Sequence, residues 1–275
     1  MSKFWTKLRI CLSEPRKIGF FMGEKKWKSF VQLFLLLVLA LTPYLLKLSN
    51  ATEISSSSKM YLETILMTEE IDGEMQIVDN RLVGNNSLAI FIEEAIIFVN
   101  PINDTLDKDD YSMTSVYELN ENGVIVSFDG TILKEISYEE LGYSDIDFNK
   151  IFKTNYIEFN KFISLINDVF ETNKLYWTMY NYFTVLISAY ASLIISALII
   201  SVFGGTINKF VAFKFRFKGA LDAQFISIVF VLLAVLFNIS YLEFVGMMLS
   251  VFYFMRGLRS IVRIEIKKIN NNKEG

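Results

Sequence analysis

Histidine is missing from all 275 residues, and that gap excludes more chemistry than any motif here includes. Ser-His-Asp and Cys-His nucleophilic sites, His-containing zinc sites and an imidazole pH switch all need the missing ring. Cysteine is nearly as scarce: Cys11 stands alone, so no intramolecular disulfide and no Cys-rich metal cluster can form. The thiol reads as an apolar filler on a helix face. No phosphate-cradling glycine loop and no dinucleotide fingerprint occur. No internal repeat or low-complexity tract is visible beyond Ser55 to Ser58. The expectation is therefore no catalytic residue, no cofactor and no metal.

Charge is the next absence, and it is local. Between Lys174 and Lys209 lie 34 uncharged residues, more than the about 20 that a helix needs to cross a bilayer core. Tyr176 and Trp177 lead a cluster of rings that favours the water–lipid boundary. The span proper runs from Val185 to Phe203, with Gly204-Gly205 loosening its inner end. Thr184, Ser188, Ser192 and Ser196 recur every four residues and form one small-polar stripe. Such a stripe lets a neighbouring helix come close, so this span is expected to be the central packing helix. Between Lys28 and Lys47 lie 18 more uncharged residues, a first span that Pro43 can kink near its outer end. Ser49 and Ala51 would fit a signal-peptide cleavage site, but the long charged region and long apolar run favour a retained anchor. A third span starts at Ala223 and a fourth ends at Leu258. Asn238-Ile239-Ser240 makes their hairpin turn, and Gly246 and Ser250 give the fourth a small packing face.

The remaining charge is segregated. Residues 50–174 carry 24 acidic and eight basic side chains, whereas residues 1–28, 206–222 and 256–275 hold 18 of the 27 Lys/Arg. The positive-inside rule places the basic flanks, and both termini, in the cytoplasm. The acidic stretch then faces outward, where it would repel nucleic acid. The basic patches suit anionic inner-leaflet lipids.

Along the chain, residues 1–27 form a cytoplasmic amphipathic segment. Phe4, Trp5, Leu8, Cys11 and Leu12 share one helical face, with Lys3, Lys7 and Arg9 off it, as suits an anchor lying on the inner leaflet. Trp5 and Trp27 are expected interface anchors. Residues 28–49 are the first transmembrane helix, and residues 50–174 an extracytoplasmic α+β domain. In that domain Glu53 to Met67 reads as a helix. Met75–Val83, Leu88–Asn100, Ser115–Leu119, Val124–Asp129 and Ile132–Ser137 read as strands. Asp129-Gly130 is a strong hairpin signal. Ile151 to Glu171 has helical spacing, with Phe159, Phe162, Ile163, Ile166, Val169 and Phe170 on one face, which should pack on that sheet or lie at the outer membrane surface before the central span. Residues 175–205 are the second span. Residues 206–222 form a basic-aromatic cytoplasmic loop in which Lys214, Arg216 and Lys218 snorkel to headgroups. Residues 223–258 hold the third and fourth spans, and residues 259–275 the basic tail. The fold class is thus membrane α-helical, four transmembrane helices, with an inserted small α+β extracytoplasmic domain.

Few features hint at a reaction. Asn103, Asp104, Asp107, Asp109 and Asp110 are rich in oxygen ligands, but the spacing is not that of an EF-hand loop, and a solvated turn is the reading. Glu93 and Glu94 would point to opposite faces of a strand, so the pair cannot converge for acid/base work. Asp222, Glu243 and Arg256 sit close to span ends, within reach of water or headgroups. Three glycosylation triplets, at Asn50, Asn85-Asn86 and Asn103, carry almost no weight.

Three segments resemble a known family: LSEPRKIGFF (Leu12 to Phe21), IIFVNPINDT (Ile96 to Thr105) and VIVSFDGTILKEISYEEL (Val124 to Leu141). The layout is similar to a bacterial family of multi-pass membrane proteins with a domain of unknown function. Its members include proteins assigned to maltodextrin utilisation. The resemblance implies a bacterial plasma-membrane protein with an accessory role in sugar uptake, and it implies no catalytic residues. The leading expectation is a non-enzymatic accessory protein that displays its acidic domain to a membrane partner such as a transporter. The alternative is a small transporter or channel with a polar route along Thr184, Ser188, Ser192 and Ser196.

Overall fold

The computed structural model describes residues 3–21, 24–68, 74–100 and 115–271, with the backbone alone at 3, 20 and 261–271. The chain opens with helix α1 (Lys3–Ser13) and a 3-10 helix (Pro15–Phe21). Helix α2 (Lys26–Ala40) and helix α3 (Thr42–Ser49) together form the first apolar segment. They part at Leu41, two residues ahead of Pro43, which has no backbone N–H to continue the helical ladder. Thr42 compensates in part, its hydroxyl donating to the Val38 carbonyl at 3.2 Å.

Next comes helix α4 (Ser56–Thr68), then eight strands among the described residues. Strands β1 (Met75–Val78), β2 (Arg81–Gly84) and β8 (Asp145–Asp147) form a three-stranded sheet in the order β2-β1-β8. Strands β3 (Leu88–Phe91), β4 (Ile96–Val99), β5 (Ser115–Asn120), β6 (Gly123–Phe128) and β7 (Thr131–Ser137) form a second sheet in chain order. Its pairs are antiparallel except β4 with β5. Between β7 and β8 lies the short helix α5 (Tyr138–Leu141), and after β8 comes α6 (Phe148–Ile151).

Two segments expected as single strands fold back on themselves. Asp79 and Asn80 both take positive φ, as a two-residue type I′ turn requires, so Met75–Val83 becomes the β1–β2 hairpin. Leu88–Asn100 splits at residues 92–95 into β3 and β4. Asp129-Gly130 turns where expected, with φ of 50° and 72°.

Helix α7 (Tyr156–Ile207) is 52 residues long and unbroken. The change in composition at residue 174 therefore leaves no mark on the backbone. Helix α8 (Phe213–Phe237) starts inside the expected 206–222 loop, and helix α9 (Tyr241–Asn271) carries on through most of the expected tail. Among the described residues four segments are long and apolar enough to cross a membrane: Lys26–Ser49, Tyr156–Ile207, Phe213–Phe237 and Tyr241–Ser260.

The chain divides into two compact units, Met1–Leu48 with Asn181–Gly275, and Ser49–Tyr180. In the second unit one core joins both sheets to α4 and the first part of α7. Phe162, Ile166 and Phe170 are fully buried there, and the Phe162 ring meets Phe148 edge-on at 5.4 Å. Every residue of the expected α7 face is buried. Glu93 and Glu94 occupy the β3–β4 loop, so the strand argument that kept them apart does not apply. Both carboxylates reach the start of α4: Glu94 accepts from Ser55 N at 2.7 Å and Ser58 Oγ at 2.6 Å. Glu93 accepts from Ser55 Oγ at 3.3 Å. Anionic groups are favoured at a helix N-terminus, and the role is structural.

In the first unit α8, not α7, is the central helix. Its most apolar window is 56% buried, against 28% for α7. Helix α8 packs on α2, α9, α1 and the 3-10 helix. The amphipathic N-terminus is thus docked on protein, not a partnerless anchor. Cys11 and Ile18 are fully buried, Tyr253 donates to the Leu12 carbonyl at 2.8 Å, and Ser260 donates to the Arg16 carbonyl at 2.7 Å. Gly257 brings α9 against this segment, where an added Cβ would lie 3.0 Å from the Pro15 carbonyl oxygen.

Candidate functional site

Two places in the first unit hold polar chemistry. The first is an ionic cluster on α8. Lys218 and Asp222 stand one turn apart on its buried face, Nζ to Oδ2 2.5 Å. Lys7 of α1 approaches the other carboxylate oxygen, Nζ to Oδ1 2.9 Å. Ser29 of α2 donates to that same oxygen at 2.7 Å and accepts from Lys7 at 3.0 Å. Gln32 and Glu24 complete the Lys7 shell at 3.1 and 3.3 Å. An ammonium has three protons, so these four acceptors more than satisfy it. Phe21 and Phe225 present their rings to Lys7 at 5.6 and 5.7 Å, the distance range of a cation–π contact. Burial alone would pull the Lys7 ammonium down, but the Asp222 carboxylate holds it above the ordinary lysine range. With two cations and two anions in one shell, the cluster is internally neutral. It ties α1, α2 and α8 together.

A short polar bridge continues along α8. Gln224 donates to Ser196 Oγ of α7 at 3.4 Å. The Ser227 hydroxyl lies 3.0 Å from both Gln224 Oε1 and the Gly246 carbonyl of α9, and its single proton serves one at a time.

The second place is a cavity of about 690 Å³. Its walls are Leu41, Tyr44, Val185, Val231, Ala234 and Val235, from α2–α3, α7 and α8. Thr184, Ser188, Ala189 and Ser192 line it from α7. The first three members of the expected packing stripe therefore face a space, and only Ser196 is buried against protein. At one end stand Lys47 in the last turn of α3, Glu243 in the first turn of α9, and the Asn238–Ser240 turn. Neither charged side chain has an ion-pair partner among the described residues. The space is half-open, with apolar walls and with Lys47, Thr184, Ser188, Ser192 and Glu243 exposed along it.

The other expected residues are placed as follows. Trp5, Trp27 and Tyr176 are exposed, whereas Trp177 packs edge-on to Phe170 at 5.1 Å. Lys214 is exposed beside Phe215. Lys218, expected at headgroups, is fully buried, as is Asp222, expected near water. Arg216 lies against Gly205, where an added Cβ would fall 1.8 Å from Nη1. Gly204 likewise clears the Phe254 ring, so these glycines make room for side chains without breaking the helix. Gly246 sits against Ser227 and Phe230, and Ser250 is fully buried with its hydroxyl on the Met247 carbonyl. The Asn103–Asp110 cluster lies outside the described residues.

The Lys218/Asp222 spacing in an otherwise apolar run was a visible signal of an intrahelical pair. Nothing in the sequence joined Lys7 to it, because Lys7 stands off the apolar face of α1. No curated protein and no solved structure matches the chain. A family match covers residues 5–258, most of what has just been described: the chain belongs to the DUF1189 family of proteins of unknown function.

Proposed function

We propose that this is a non-enzymatic, multi-pass protein of the bacterial plasma membrane that acts as an accessory to a membrane partner such as a transporter. The observation that carries this reading is charge. The second unit presents Glu53, Glu121, Asp129, Glu135, Glu139 and Glu171 to solvent, while residues 50–174 hold 24 acids against eight bases. An acidic surface of that size selects partners and orients their approach through its field. The basic flanks support an outward position for this unit and cytoplasmic termini. The link to maltodextrin uptake rests on the resemblance alone.

Crosslinkers placed at Glu121 and Glu135 in native membranes test the proposal. Recovery of one membrane protein, lost when Glu121, Glu135 and Glu139 are reversed to Lys, supports it. The absence of any reproducible product, with or without maltodextrin, counts against it.

The cavity favours a second reading, a small carrier with a route along Thr184, Ser188 and Ser192. Ser196, tied to Gln224, stands outside the lining. Substrate flux in liposomes that persists after Ser188→Leu and Ser192→Leu would remove that route.

A further inference from the structure

We propose that the cavity between α3, α7, α8 and the start of α9 is a binding site for a phospholipid with a primary-ammonium headgroup, such as phosphatidylethanolamine. The argument starts from what surrounds the space. Leu41, Val185, Val231 and Val235 give it apolar walls, against which acyl chains pack by van der Waals contact. A volume of about 690 Å³ holds the headgroup end of a lipid and part of its chains. Packing that close to the bundle needs slim residues on the facing helix, and α7 supplies Thr184, Ser188, Ala189 and Ser192 there.

The polar end decides the headgroup. Lys47 and Glu243 line one cavity, carry opposite charges and make no ion pair among the described residues. A zwitterion satisfies both at once: phosphate at the lysine, ammonium at the glutamate. A purely anionic lipid would leave Glu243 facing like charge. A quaternary ammonium would keep the charge attraction but offer no N–H to the carboxylate. Ser240 and Asn238 supply uncharged hydrogen-bonding groups on the same rim. The site is a property of the described helices of one unit and does not depend on the identity of any protein partner.

Retention of lipid by the full-length purified chain tests this. Samples loaded with phosphatidylethanolamine, phosphatidylcholine or phosphatidylglycerol of matched chains are stripped stepwise with detergent, and the lipid that remains is counted by native mass spectrometry. Phosphatidylethanolamine is expected to outlast the other two. Loss of one charge-assisted contact in Lys47→Ala or Glu243→Gln should lower its retention about tenfold. Ser188→Trp, which fills the cavity, should abolish retention. Equal or better retention of phosphatidylglycerol overturns the proposal, as does retention unchanged in both charge variants. Glycerophosphoethanolamine without chains is the remaining arm. If it stabilises the protein as much as the lipid does, the ligand is a soluble zwitterion and the lipid assignment fails. Should a variant not fold, the ranking of the three lipids on the unaltered chain decides alone.

Discussion

Lys7 Nζ lies 2.9 Å from Asp222 Oδ1, and both side chains are out of reach of solvent, at 2% and 0% exposure. Desolvating such charges is costly, and their mutual attraction offsets that cost only while every member is present. Asp222→Asn keeps the shape but leaves Lys218 without a counter-ion and Lys7 with only the half-exposed Glu24 at 3.3 Å. The expected loss is about 3–5 kcal/mol, read as a large drop in the unfolding temperature of the detergent-solubilised protein. Lys7→Met combined with Lys218→Met and Asp222→Leu should recover most of it, because no buried charge is then stranded and Glu24 is 37% exposed. If Asp222→Asn melts with the unaltered chain, the cluster contributes nothing to holding the N-terminus.

Cys11 reports on the same contact. It is fully buried, and burial, with Asp222 adding to it, pushes its thiol well above the ordinary range. The reactive species is the thiolate, so maleimide should label native protein slowly from pH 7 to 9. Asp222→Asn should speed labelling by releasing α1. The linkage has a definite sign. In the unfolded chain the thiol loses its proton near pH 8.5, while the folded chain keeps it. The unfolded state then binds fewer protons, so this contribution to stability is whole below pH 8.5 and falls as pH rises beyond it. Cys11→Ala should flatten that alkaline decline.

How much of this was legible follows from the range of each signal. Three of the four apolar segments announce themselves by length without charge, a local property that needs no tertiary partner, whereas the fourth carries Glu243 and Arg256 near its ends. The face of α7 in the second unit was equally plain, since Phe159 to Phe170 repeat with the helical period and all are buried. A hairpin is legible where glycine marks the turn, at Gly130, and hidden at Asp79-Asn80, where asparagine does the same work with a weaker signal. Burial of Lys7 was illegible in principle. Its position off the apolar face of α1 suits headgroups as well as a carboxylate, and the partner lies at the far end of the sequence. For the same reason the stripe from Thr184 to Ser196 reads equally as a packing seam or as a polar route. A row of small residues borders close helices or a cavity alike, and only the positions of α3 and α8 decide which.

Glu94 is a stability determinant of the second unit. It is 4% exposed and takes the Ser55 amide and Ser58 hydroxyl at the start of α4. Glu94→Ala would strand both donors, at a cost of about 1–3 kcal/mol for the buried groups. Glu93, exposed and with longer contacts, should be replaceable with little loss. Protease cleavage within α4 measures the difference: Glu94→Ala should be cut faster, and Glu93→Ala at the original rate.

Gly246 separates two opposing effects of one methyl group. In an exposed helix, glycine to alanine stabilises by about 1 kcal/mol through backbone entropy. At Gly246 the new Cβ would lie 2.7 Å from Phe230 Cβ, 3.1 Å from Ser227 Cα and 3.2 Å from the Ser227 carbonyl oxygen. Two of those atoms are backbone of α8 and cannot swing aside, so α8 and α9 must part. Forcing extra carbon into a packed contact costs about 1–3 kcal/mol, which exceeds or cancels the propensity gain. Gly246→Ala should therefore melt at or below the unaltered chain, and Gly246→Val far below it, with the Ser227 bond to the Gly246 carbonyl lost as well. A rise in melting temperature with alanine would mean that α9 stands further from α8 than these distances allow.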